Sequence, residues 1–279
     1  MKWPLLPLLL IQLDSATLDP RSLAEFQKYM ERADAEMRER ARPGAAARLG
    51  APAEPAIAPW QKDNPLEAPG ALIHDWLGAV FVPGARMEDG LAVLRDVPRY
   101  PDVYSGDILE ARVLSADAAR RRVLFRIIKK KIITVVLEME YDVEDRIAAP
   151  GVAQMWSRSV RVAEVEDAGK PSEKLKPPDT GWGFLWRLNS YWHLEERGGG
   201  LLMECRAISL TRDVPAALAW IVKPMVTSLP REALAGTLVK TKAAVEKQAA
   251  ARRAAGRLHP EAPPRAAPAA PSHAAPRPL

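Results

Sequence analysis

The chain has 279 residues, 48% hydrophobic and 27% charged, an ordinary globular composition with room for one large or two small domains. Its formal net charge of +5 is concentrated at the end. From Ala249 onwards Arg252, Arg253, Arg257, Arg265 and Arg277 stand against Glu261 alone, which leaves the rest nearly neutral and excludes a basic nucleic-acid binder. A single cysteine, Cys205, excludes an internal disulfide and reads as a buried small hydrophobe.

Met1 to Ser15 reads as a short export signal, with Lys2 as its positive end and a nearly continuous apolar run from Leu5 to Leu13. Pro4 and Pro7 interrupt that run and no clean small-residue cleavage site follows, so a disordered or core-docked N-terminus is the alternative. The expected location is the periplasm or cell envelope if the segment is a signal, and the cytoplasm otherwise. Asp19-Pro20 then opens an amphipathic helix over residues 19–42, with Asp19 as N-cap and Pro20 at the first helical position. Leu23, Phe26, Met30, Ala33 and Met37 form its narrow apolar stripe, which must dock on the domain or on a partner. Residues 43–70 hold six prolines (Pro43, Pro52, Pro55, Pro59, Pro65, Pro69) among alanines and read as an extended linker.

The domain itself spans 71–248. Leu72 to Val82 reads as a strand closed by Pro83-Gly84, Met87 to Val97 as a short helix, and Asp102 to Ser105 as one further helical turn. Strand signals follow over Asp107–Leu114, Arg122–Ile128, Ile132–Val143 and Gln154–Val165. Lys129-Lys130-Lys131 reads as a solvated turn. Trp182, Phe184, Trp186, Leu188, Ser190, Trp192 and Leu194 alternate with Arg187, Asn189, His193 and Glu195, which predicts a strand with one buried and one wet face. Leu201, Met203, Cys205, Ala207 and Ser209 repeat the pattern after Gly198-Gly199-Gly200. If both inner faces meet one core, the loop between the two strands must hold an even number of residues. Val214–Val222 and Pro230–Gln248 are helical in pattern, with breaks expected at Pro224 and Pro230. Residues 249–279, rich in Ala, Pro and Arg, read as a disordered tail. The order is strand, short helices, six strands, long helix: an α+β fold with a meander sheet.

That order, with Ile73-His74-Asp75-Trp76, Val82-Pro83-Gly84, the run Phe184 to Trp192 (Phe-Leu-Trp-Arg-Leu-Asn-Ser-Tyr-Trp) and the run Glu204 to Pro215, resembles the START/Bet v 1-like (SRPBCC, helix-grip) superfamily. The likeness is to uncharacterised bacterial START-like proteins of the polyketide cyclase and ubiquinone-binding type. It implies a curved seven-stranded antiparallel sheet wrapped around a long C-terminal helix, with two short helices after the first strand. It also implies a cavity for a hydrophobic ligand and carries no universal catalytic motif. Lined by the inner faces and the closing helix, that cavity would involve Phe125, Val135, Leu137, Met139, Tyr141, Trp186, Leu188, Ser190, Met203, Cys205, Trp220, Met225, Leu229 and Leu234.

Chemistry is hard to find. Of four histidines, His259 and His273 lie in the tail, His193 alternates outward, and His74 sits beside Asp75 on opposite faces of one strand. No metal-ligand cluster, nucleophile elbow, Walker loop or dinucleotide fingerprint is present in the sequence. Arg187 is expected to pair with Glu204 or Asp213 across the sheet, or else to bind a carboxylate at the cavity mouth. The expectation is therefore binding or carriage of a lipid, isoprenoid or quinone without catalysis and without metal or cofactor. Transient membrane contact and oligomeric state are left open, and no specific nucleic acid is expected. The alternative is a cyclase- or hydrolase-like enzyme that uses Tyr141, Ser190 or Arg187.

Overall fold

Asp19 caps the first helix by accepting the Arg21 backbone N–H at 2.8 Å, with Pro20 at the first position. The computed structural model describes residues 15–45, 48–117, 119–130, 134–213 and 219–258; nothing is described of the side chains of 219–227 and 256–258. The reading of an export signal before Ser15 and that of a tail beyond Leu258 fall outside these residues.

In chain order the elements are β1 (Ala16–Thr17), α1 (Pro20–Glu39), β2 (Ala56–Pro59), β3 (Leu66–Ala68), β4 (Ala71–Pro83) and α2 (Met87–Arg95). After a single 3-10 turn come α3 (Tyr100–Val103), β5 (Ile108–Ala116), β6 (Arg120–Lys130), β7 (Thr134–Ala149) and β8 (Val152–Glu166). β9 (Lys174–Leu175), β10 (Thr180–Gly181), β11 (Arg187–Arg197), β12 (Gly200–Arg212) and α4 (Ala219–Leu258) complete the order. The main sheet runs β2-β4-β12-β11-β8-β7-β6-β5, with β3 also on β4 and β9 on β8. It therefore has ten strands rather than seven. Seven are the long strands of the sequence reading; β2, β3 and β9 are short additions. β2 and β3 come from the proline-rich segment, whose extended backbone suits edge pairing and whose Pro59 sits at the end of β2.

The β11–β12 hairpin closes over Gly198 and Gly199, both at positive φ, so the loop has two residues and even-numbered positions face odd ones, as with Trp192 and Cys205. Two expectations are corrected. α4 is one helix that passes through Pro224 and Pro230 and continues beyond Gln248 to Leu258. Each interior proline costs about 3 kcal/mol of helix stability, which burial of Leu234, Leu238, Val245 and Ala249 against the sheet can offset. The second correction concerns the face of β11 and β12 expected to be wet. Asn189, His193, Glu195, Glu204 and Arg206 are all buried there, because α1 lies across that face.

The sheet is thus covered on both sides. One cluster joins the inner face to α2 and α4 through Val80, Leu94, Met139, Leu194, Met203 and Leu238. The other joins the outer face to α1 through Phe26, Tyr29, Met30, Ala33, Trp156, Tyr191, Ile208 and Leu210. Full burial of one such side chain is worth about 1.5–3 kcal/mol. Where α1 runs out of apolar residues, charge takes over. Arg206, 1% exposed, donates to Asp75 at 2.6 and 3.0 Å and to Glu36 of α1 at 2.6 Å. Tyr29 of α1 donates to Asp75 at 2.6 Å, and the Trp60 ring lies 3.9 Å from the guanidinium. Burial works against the Arg206 charge, but Asp75 and Glu36 outweigh it and its pKa is raised. Arg40 pairs with Glu204 at 2.7 Å, and Asp34 accepts from Arg158 at 2.8 Å.

Two histidines are buried on opposite faces. On the outer face His193 has no hydrogen-bond partner among the described residues at either ring nitrogen, and Glu195 lies 3.6 Å away. On the inner face His74 contacts the Thr211 hydroxyl at 3.0 Å through Nε2, and its Nδ1 has no hydrogen-bond partner among the described residues. Burial lowers the pKa of both, that of His74 to about 4.

Replacing Arg206 with Met should cost about 3–5 kcal/mol, because Asp75 would be left buried and uncompensated. Urea unfolding of the Arg206→Met and Asp75→Asn single and double variants should show the double losing less than the sum. Between pH 6.5 and about 4 the unfolded chain binds a proton at His74 that the folded chain refuses, so stability falls as pH drops. The loss should reach about 3 kcal/mol for His74. Urea unfolding across that range should give a shallower pH slope for His74→Phe than for the wild type.

Candidate functional site

The inner face is where the sequence reading places its ligand. Register assembles it strand by strand. Trp76 of β4 faces Ala207 of β12, Ala207 faces Ser190 of β11, and Ser190 faces Ser157 of β8. This row crosses four strands, and every member is half-buried. Three of the four are small, so they cannot fill the space above them. On one side of the row Cys205, Trp192 and Met155 are buried and close-packed. On the other stand Ser209 and Leu188, then His74 and Thr211 at the edge of β4 and β12.

The packing against α4 is uneven. At Gly78 there is no room for a Cβ beneath Leu238 and Leu234, so the middle of the helix presses on β4. Met139, Leu194, Leu201, Met203 and Leu238 are fully buried there. Elsewhere on the inner side Phe125, Ile127, Val135, Leu188 and Leu229 are only half-buried. Tyr100 stacks on Phe125 at 5.4 Å, and Phe125 meets Tyr141 at the same distance, so an aromatic wall bounds this region.

Of the residues expected at the site, the structure gathers Phe125, Val135, Leu137, Met139, Tyr141, Leu188, Met203, Cys205 and Leu234 into or against the inner cluster. Ser190 joins them by register with Ala207. Trp186 does not join them. It lies just outside the regular strand, after the chain bends at Gly183, and it packs into the outer cluster with α1. The side chains of Trp220 and Met225 fall outside the described residues. Trp76, Ala207 and Ser157 complete the row; Ser157 is expected from the sequence as a polar group that could orient a headgroup, whereas Trp76 and Ala207 are not among the expected site residues. β4 is apolar on both faces, so its sequence shows no alternation from which the inward residues could be read.

Polar groups on the inner face are few. Tyr141 reaches only the Met139 sulfur, at 3.5 Å, and burial pushes its hydroxyl pKa up. Burial likewise pushes up the Cys205 thiol, which keeps it protonated and a poor nucleophile. Tyr104 is pushed up to about 12 by burial, partly offset by its hydrogen bond to Thr241 at 3.0 Å. Trp76 Nε1 is buried and finds no hydrogen-bond partner among the described residues. Arg187 lies across the sheet from these groups. It pairs with Asp179 at 2.5 Å, not with Glu204 or Asp213, so it is separated from Tyr141 and Ser190. Among the described residues no group of three or more His, Cys, Asp and Glu could hold a metal.

An open groove of about 990 Å³ lies on the outer face, between α1 and the ends of β6 to β8. Its arginines are engaged in ion pairs, as in Arg158–Asp34 and Arg122–Asp142. It is a different place from the inner face, and its lining mixes Leu23, Phe26 and Met30 of α1 with these charged groups.

No protein-family model matches the chain, and no curated protein matches it. Among solved structures it is similar to a fragment of a STAR-related lipid transfer protein from Xanthomonas axonopodis, with 17% identity and a TM-score of 0.42 over 68% of this chain and 98% of that one. It is also similar to the Zhui aromatase/cyclase from Streptomyces sp. R1128, with 13% identity and a TM-score of 0.45 over 66% of this chain and 98% of that one. A third is the lipid transfer and protein localization domain of human StarD13, with 10% identity and a TM-score of 0.40 over 82% of this chain and 98% of that one. These values carry no function across, and the fold is read from the elements themselves. In its succession of strand, two short helices, six long antiparallel strands and a closing C-terminal helix, the chain has the helix-grip architecture expected from its sequence.

Proposed function

We propose that the protein binds or carries a hydrophobic small molecule, of the lipid, isoprenoid or quinone kind, on the inner face of the sheet. One observation carries this reading: the half-buried row Trp76, Ala207, Ser190 and Ser157, small in the middle and bordered by the half-buried Leu188. Ligand sites are typically concave, largely apolar, and supplied with a few polar groups that orient the ligand. Phe125, Val135 and Leu188 supply the apolar walls here. Ser190, Ser157 and Ser209 supply hydroxyls for a carbonyl or hydroxyl headgroup.

The separation of Arg187 from Tyr141 and Ser190 weighs against the cyclase-like use of those three together. Binding is therefore preferred to catalysis, and apolar surface removed from water at roughly 25 cal/mol per Å² would provide most of the affinity.

Organic extraction of the purified full chain followed by mass spectrometry should yield an apolar molecule. A fluorescent fatty acid should be displaced by that extract. Ser190→Trp, which fills the middle of the row, should weaken the probe's affinity by about tenfold or more, or about 1.4 kcal/mol, without abolishing folding. An empty extract together with no probe binding would remove the proposal.

A further inference from the structure

β5 is the last strand of the main sheet, and among the described residues it pairs with β6 alone. Its other edge therefore presents unpaired backbone N–H and C=O groups, which can template a further strand. The apolar side chains there are unusually open: Leu109, Val113 and Leu114 are 49%, 41% and 44% exposed. Between them Glu110 and Arg112 form a solvent-facing ion pair at 2.5 Å. The opposite edge of the sheet is handled differently, since β4 is capped by β2 and β3 and β2 ends in a proline.

The chemistry of β5 is symmetric about Ala111. Reading outward from it, Glu110 answers Arg112, Leu109 answers Val113, and Ile108 answers Leu114. We propose that β5 pairs antiparallel with β5 of a second copy of this chain, about a two-fold axis at Ala111. In that register Glu110 of each copy faces Arg112 of the other, and Leu109 faces Val113, each pair occurring twice. The small Ala111 lies on the axis, where the two backbones come together. The intrachain ion pair becomes one side of an alternating ring of four charges, so charge and apolar matching both select this register. A slip by one residue would set Glu110 against Val113 and Ala111 against Arg112, and lose both.

The bulges at Leu109 and Leu114 bound the regular part of the strand and limit the regular pairing to the four residues Glu110 to Val113 of each copy, with Leu109 and Leu114 at its margins. That is a small interface, of the weak, reversible class below about 1,200 Å². Association should accordingly depend on concentration.

Sedimentation velocity on the full chain, from roughly 5 to 500 µM, tests the pairing over the range expected of weak interfaces. A dimer should grow in with concentration. Glu110→Arg and Arg112→Glu should each weaken it by about tenfold or more, which is about 1.4 kcal/mol. An equimolar mixture of these two variants should recover the dimer, because each then presents the charge that the other lacks. The double variant carrying both changes should also recover it, which keeps the test decisive if a single variant folds poorly. A chain that stays monomeric throughout would overturn the proposal. So would a dimer indifferent to both single changes, or folded variants whose mixture remains monomeric.

Discussion

The buried ion pair between Arg206 and Asp75 ties α1 to the outer face of the sheet. Arg206 is among the largest fully enclosed side chains, and its hydrogen bonds reach both the neighbouring strand and α1. A guanidinium tolerates such a place only when its donors find acceptors in fixed directions, which Asp75 and Glu36 provide. Tyr29 and Trp60 then close round it, one donating to Asp75 and the other covering the guanidinium face. The position of α1 is fixed by Glu36 and Tyr29, which bond to that pair, as well as by its apolar stripe, because a stripe can slide and directed hydrogen bonds resist it.

Covering the outer face has a consequence for the inner one. With β4, β11 and β12 packed on both sides, these strands form a stiff wall, against which the half-buried positions stand out. The small row of Ala207, Ser190 and Ser157 is among them, between close-packed Cys205 and Trp192 and the half-buried Leu188. A site built on such a wall is shaped mainly by which side chains are missing, so its selectivity would be one of size and shape rather than of specific polar recognition.

Much of this was legible from local pattern. The alternation in β11 and β12 and the need for an even loop placed Leu188, Ser190, Met203 and Cys205 on one face, because strand parity is a strictly local property. Trp186 escaped it because the regular strand begins only at Arg187. Asn189, His193 and Glu195 were read as wet because they are polar and alternate with apolar neighbours, yet the helix that buries them lies more than a hundred residues earlier. Complementarity between Asp34, Glu36 and Arg40 on that helix and Arg158, Arg206 and Glu204 on the strands is non-local, and no window along the chain shows it. Pro224 and Pro230 looked like breaks because propensity was weighed without the packing that holds α4 in place.

The charged underside of α1 bears on how the chain is made. α1 leaves the ribosome before any of the strands that it covers, and at 5–20 residues per second the wait until β12 is on the order of ten to thirty seconds. During that time its greasy stripe is narrow and flanked by carboxylates and guanidinium groups, so the helix can linger in water without seeking the wrong surface. The strands, when they arrive, likewise show a face studded with Asp75, Glu204 and Arg206 instead of bare hydrocarbon. Late docking through opposite charges gives the nascent protein a form of solubility that a fully greasy seam would deny it.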